Sequence, residues 1–145
     1  MKNKFRIKRT HLQKGQSLVE VAITFTIILM LIAGAFDFGS AYFHYIALRD
    51  AAQEGAIYGS VDPNNKNEII TRIKDSSIAP ISFKDDPDFE PPEITISKTC
   101  TGGVITVKLV YNYQIVMPLV GSIIGRQTIP ITAEVTNTIL LPKCN

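Results

Sequence analysis

The first fourteen residues of this 145-residue chain contain no acid, and six of its fifteen basic residues, Lys2, Lys4, Arg6, Lys8, Arg9 and Lys14, stand there. From Gln16 onward nine basic residues face thirteen acidic ones, a net charge of −4. The overall charge of +2 therefore reflects a leader, and it gives no support for a nucleic-acid partner. Histidine is nearly absent as well. His11 lies in the leader and His44 far downstream, so neither a zinc set nor a His-based catalytic pair is available. The chain has no nucleophile elbow and no phosphate loop. Its paired carboxylates sit in a proline-rich stretch with no apolar pocket to separate their pKa values. No enzymatic role, cofactor or metal is expected.

Cysteine is scarce too. Cys100 and Cys144 are the only two, and neither has a nearby His or Cys to complete a metal site. A disulfide between them is the leading expectation, with free thiols as the alternative. It would close a long loop and stabilise a small domain by roughly 3 to 4 kcal/mol in the chain-entropy picture.

Charge is missing again from Val21 to Phe36, directly after Glu20. The segment 17–36 would span about 30 Å as a helix, the thickness of a bilayer core. Basic residues on its N-terminal flank predict a cytoplasmic N-terminus and an extracytoplasmic remainder. Three fates are open. The segment is a plain anchor with Glu20 at the interface. Alternatively it is a signal peptide cut near Ala33-Gly34-Ala35, which would release a domain starting at Phe36. In the third case the cut falls after Gly15, leaving Gln16 as the new N-terminus and Glu20 as its fifth residue. The freed amine of one subunit and the Glu of a neighbour, both costly in an apolar setting, would then neutralise each other and set an axial register.

Proline is absent from Gln16 to Val61, so one helix is predicted over 16–61, on the order of 65 Å long. Ala47, Ala51, Gly55 and Gly59 recur every four residues with Ala52 and Ala56 beside them, which leaves one face almost without bulk. Such a face admits another backbone, either this chain's own sheet or a neighbouring helix. Asp62-Pro63 reads as an N-cap and first-turn proline opening a short helix through Ile69, Ile70 and Ile73, ended by Pro80. Lys84 to Glu93 is dense in Asp, Glu and Pro. It lacks the spacing of a calcium loop and is expected to be solvated.

Beyond it the period changes to two. Ile94 and Ile96, Val104 to Tyr113, and Gln127 to Leu141 predict three or more antiparallel strands with one face for the outer half of the helix. Met117 to Ile124 is apolar for a connection, so burial in the subunit and contact with a partner or bilayer are both open. The expected domains are a basic leader at 1–15, the long helix at 16–61, and an extracytoplasmic α+β domain at 62–145.

Gly15-Gln16, Glu20, Asp37-Phe38-Gly39 and Ala51-Ala52-Gln53-Glu54-Gly55-Ala56-Ile57-Tyr58-Gly59, in that order and spacing, resemble the TadE-like family of pseudopilins from tight-adherence (Flp) pilus systems. The C-terminal third is similar to the family less specifically. Where the family often has Tyr or Phe after the Glu, this chain has Val21.

The resemblance implies a type IV pilin-like α+β fold and a minor pilin or pseudopilin cleaved after Gly15 by a prepilin peptidase, with Glu20 acting in assembly. It also implies a place in the bacterial cytoplasmic membrane and partners in the assembly platform, the major Flp pilin and a TadF-like companion. A monotopic binding or adhesion domain is the rival reading.

Overall fold

The computed structural model describes residues 12–76, 82–117, 121–122 and 125–143. It is an α+β arrangement of two helices and a three-stranded sheet in the order α1 (Leu12–Val61), α2 (Lys66–Asp75), β1 (Glu93–Ile96), β2 (Val104–Gln114) and β3 (Thr128–Thr138). The chain divides into two compact units, Met1–Phe36 and Asp37–Asn145.

In the first unit, α1 from Gly15 to Ile32 is exposed on every side. Helix forms there because each backbone N–H and C=O is satisfied within the segment, the only solution open to a single apolar span. No proline interrupts α1 over its 50 residues. Asp62 donates its N–H to Tyr58 O (3.0 Å) and closes the last turn, and Pro63, which cannot continue a helix, follows it.

The second unit is built on the bulk-free face of α1. Ala47, Leu48, Ala51, Ala52 and Ala56 are buried with Ile69 and Ile73 of α2 and with Ile105, Val107 and Leu109 of β2. The alternative of an unfilled face awaiting a neighbouring helix is thus decided in favour of packing within the subunit. A Cβ added at Gly55 would lie 2.5 Å from Ile73 Cγ1, and one at Gly59 would collide with Ile105 Cδ1.

The three strands form an antiparallel meander in the order β1-β2-β3. Odd-numbered residues of β2 from Ile105 to Tyr113 turn inward to the helices, as the period-two pattern requires. The opposite face is polar, with Thr106 and Thr136 sharing a hydrogen bond of 2.9 Å and Lys108 Nζ 3.1 Å from Glu93 Oε2.

Two local expectations are corrected. The cap of α2 is Asn65, whose side chain accepts from the Glu68 N–H at 3.2 Å. Asp62-Pro63 instead belongs to the link out of α1, because Pro63 and Asn64 form a turn that delays α2 to Lys66, and Pro63 is buried. Helix α2 ends at Asp75, where the Ser76 N–H bonds Arg72 O, and Pro80 lies outside the described residues. The acidic stretch at 84–93 is not simply solvated. Phe89 bridges Tyr111, the Glu90 N–H bonds Val110 O and the Asn112 N–H bonds Asp88 O, so the stretch runs along β2 as an interrupted continuation of β1.

Gly59→Val should place a branched side chain against the fully buried Ile105 and lower stability by about 3 kcal/mol, the upper end of overpacking costs. Denaturant titration of the full chain in detergent, followed by circular dichroism, measures it; a loss below about 1 kcal/mol would mean that the approach of α1 to β2 is looser than described.

Candidate functional site

The chemistry-bearing residues of the first unit are few. Between Gly15 and Phe36 the only charged side chain is Glu20, exposed on α1 with no ion pair among the described residues. Gly15 and Gln16 lie in the opening turns of α1 and are exposed, and nothing stands within 4 Å of where a Gly15 Cβ would be. Glycine is less favourable than alanine inside a helix by about 1 kcal/mol, so Gly15 is a locally weak position of α1. Ala33-Gly34-Ala35, by contrast, sits inside α1 with full turns on both sides.

Asp37 is the first charged residue after the apolar run, and it is buried. Its side chain accepts two successive backbone N–H groups, Val116 to Oδ1 at 3.1 Å and Met117 to Oδ2 at 2.9 Å. The Tyr113 hydroxyl lies 3.4 Å from both Oδ1 and the Asp37 carbonyl oxygen. These two N–H groups need an acceptor, since β2 ends at Gln114 and ladder-type bonding stops at the Ile115 N–H, which takes Gln127 O. The carboxylate thus ties α1 to the end of β2 with charge-assisted bonds. Two helical turns on, His44 Nδ1 lies 2.8 Å from Ser40 O, an acceptor, so it is the nitrogen that donates. Its ring stacks on Tyr111 (5.0 Å between centroids) and meets Tyr113 edge-on (5.1 Å).

The other motif residues divide by role. Ala51, Ala52, Gly55 and Gly59 form the close-approach face. Glu54 and Tyr58, one turn apart at its rim, both meet Arg72 of α2, whose guanidinium lies 3.9 Å from Glu54 Oε1 and 5.3 Å from the Tyr58 ring centre. Phe38 is exposed and stacks on Tyr42 at 6.5 Å, while Gly39 faces open space. Met117 and Gly121 are buried and Val116 is exposed; residues 118–120 and 123–124 of that connection lie outside the described residues. Cys100 is disulfide-bonded, and Cys144, the other half of the expected pair, also lies outside them.

Tyr111 anchors the acidic stretch by donating its hydroxyl to Asp86 Oδ2 at 3.1 Å. Burial first, then the Asp86 charge and hydrogen bond, and to a lesser degree Asp88 and Tyr113, push its phenol from the ordinary 10 up to about 12. Asp88 and Glu90 accept from Gln114 Nε2 (2.9 Å) and Asn112 Nδ2 (3.0 Å), so these acids serve the edge of the sheet. Among the described residues no group of three or more His, Cys, Asp or Glu converges as a metal site would need.

The whole is an α+β protein with one helix long and apolar enough to cross a membrane. Its residues 15–56 match the family described as TadE-like protein, the segment that carries Gly15, Gln16, Glu20, the Asp37-Phe38-Gly39 motif and the motif from Ala51 to Ala56. No characterised protein and no solved structure matches the chain.

Three participants in this site escaped the sequence reading. His44 was set aside for want of a partner, and its tyrosines lie 67 and 69 residues away in β2. Tyr113 is only the last residue of an expected strand in the sequence, and its hydroxyl lies 3.4 Å from Asp37, 76 residues earlier. Ser60 is buried, and its carbonyl accepts from the Leu140 and Leu141 N–H groups, a backbone contact with no side-chain signature.

Asp37→Ala would orphan the Val116 and Met117 N–H groups and should cost about 2 to 4 kcal/mol. That corresponds to a Tm lower by roughly 10 °C for a domain of this size, with Asp37→Asn in between because its amide offers one acceptor rather than two. Differential scanning calorimetry in detergent would decide, and an unchanged Tm for the Ala variant would remove the clamp. The raised Tyr111 pKa favours the folded state while the phenol is neutral, so its contribution is complete below pH 10 and is lost as the pH rises towards about 12. Wild type should therefore lose stability relative to Tyr111→Phe across that interval, as measured by urea midpoints at each pH.

Proposed function

We propose that this chain is a minor pilin or pseudopilin that takes part in building a tight-adherence (Flp) pilus. The observation that carries the reading is the conjunction, on one continuous helix, of an exposed Gly15-Gln16 junction, a lone Glu20 and sixteen uncharged residues, fourteen of them exposed. The TadE-like match over the same residues supports it.

Cleavage by a prepilin peptidase after Gly15 would leave the Gln16 amine at the helix N-terminus. There the positive end of the helix dipole disfavours a positive charge, so a carboxylate from another subunit would be welcome. Glu20 supplies it. Within its own helix Glu20 lies one turn along, and a neighbour displaced axially by about one turn, roughly 5 to 6 Å, would bring its Glu beside the freed amine.

The basic leader keeps the N-terminus in the cytoplasm and places residues 37–145 outside the bacterial cytoplasmic membrane. A disulfide at Cys100 suits that oxidising side. The proposed partners are the prepilin peptidase, the inner-membrane assembly platform, the major Flp pilin, a TadF-like companion and the lipid around the span. In this reading the domain contributes shape and attachment rather than catalysis.

Sequencing the N-terminus of the mature protein should find Gln16. Phe36 would indicate a secreted domain and Met1 a plain anchor, and either would overturn this reading. Glu20→Ala should still insert and be processed, yet be depleted from sheared pilus fractions by tenfold or more, about 1.4 kcal/mol or more of lost pairing. Normal amounts of the variant in those fractions would refute the assembly role of Glu20.

A further inference from the structure

Gln16 is exposed in the opening turns of α1, and its side chain makes no hydrogen bond or ion pair among the described residues. Nothing stands within 4 Å of where a Cβ on the preceding Gly15 would be, so the junction is open around both residues. While the Gln16 nitrogen belongs to the peptide bond from Gly15, it is an amide nitrogen and no nucleophile. Cleavage at that bond changes its chemistry. It becomes a free amine on the same residue as a carboxamide, at the spacing that closes a five-membered ring.

We infer that Gln16, once it is the N-terminus, is a modification site: its α-amine closes on its own carboxamide to form a neutral lactam in subunits that have not paired, whereas pairing with the Glu20 of a neighbour preserves the amine. This rests on the reading that the chain is cut after Gly15. In the step the amine nitrogen attacks Cδ and forms the new N–Cδ bond. The Cδ–Nε2 bond breaks, and Nε2 leaves as ammonia with the proton that the amine gives up. Nothing is oxidised or reduced, and no co-reactant is consumed.

Only the neutral amine can attack. An ordinary α-amino group exchanges with that form near neutral pH, and the positive end of the helix dipole disfavours its protonated form further. A carboxylate beside it favours the ammonium, which has no lone pair to offer. Glu20 of the same chain stands about 6 Å further along the helix axis, so close pairing needs the axially shifted neighbour. Cyclisation removes the charge that this neighbour's Glu20 would meet. A subunit left unpaired therefore loses the group that sets its register, and the junction limits how long a processed subunit stays competent for assembly.

Tandem mass spectrometry of the N-terminal peptide distinguishes the two forms in full-length protein taken from the membrane and from sheared pili. Free amines are capped with formaldehyde and borohydride before digestion, so that no ring closes during handling. We expect a peptide starting at Gln16 in both fractions. Its lactam form, lighter by one ammonia, should be several-fold more abundant in the membrane pool than in pili and should rise there after synthesis is stopped. Gln16→Asn, whose shorter side chain would have to close a strained four-membered ring, should keep its amine in both. An amine retained throughout the membrane pool, or the same lactam share in both fractions, would overturn the inference and leave cleavage after Gly15 intact. A first residue other than Gln16, or absence of the chain from pili, would overturn the reading beneath it, and the inference with it.

Discussion

The close approach of α1 to β2 and α2 is the constraint on which the rest of the domain depends. Backbone at Gly55 and Gly59 passes so near Ile73 and Ile105 that a single added carbon would have no room. Ala47, Ala51, Ala52 and Ala56 keep that spacing along the helix, and the larger aliphatic side chains come from the opposite side. Bulk is thus divided unequally: the helix supplies backbone and β2 supplies volume. Each buried aliphatic side chain from β2 and α2 contributes about 1.5 to 3 kcal/mol, an amount realised only if the helix stays close.

One helix therefore carries two kinds of surface. From Val21 to Phe36 it carries no charge, as suits a segment in lipid. After Asp37 it has a bulk-free inner face, a polar rim at Glu54 and Tyr58 that engages Arg72, and an aromatic outer face. Asp37 marks the change of surface. Its charge would be expensive in lipid, yet here it satisfies two strand-end N–H groups that would otherwise lack partners. The motif residues thus do different jobs. The Ala-rich segment and Asp37 build the domain, whereas Gly15, Gln16 and Glu20 are exposed on α1 and take no part in its core.

The acidic, proline-rich stretch shows the same economy. Its prolines prevent a regular strand, but Phe89, Asp88 and Glu90 still find partners on β2, and Tyr111 fixes the whole through Asp86. What reads as charge repulsion in the sequence becomes protection of a sheet edge.

The helix at 16–61, strands at Ile94 to Ile96, at Val104 to Tyr113 and within Gln127 to Leu141, and the bulk-free stripe were legible in the sequence because they follow from local rules. Proline-free length gives helix, alternation gives strand, and residues four apart share a face. The Gly15-Gln16-Glu20 arrangement and the motifs through Gly59 could likewise be read without coordinates, since they depend on order along the chain. Three things could not. The sequence left open whether the stripe met its own sheet or another helix, because a small-residue face is compatible with both, and only the placement of Ile105 and Ile73 decided it. The pairing of Asp37 with Val116 and Met117 joins residues 79 and 80 positions apart. The enclosure of His44 by Tyr111 and Tyr113 likewise crosses most of the domain. Such contacts arise when β2 folds back along α1, so they belong to the tertiary structure and leave no periodic trace in the chain.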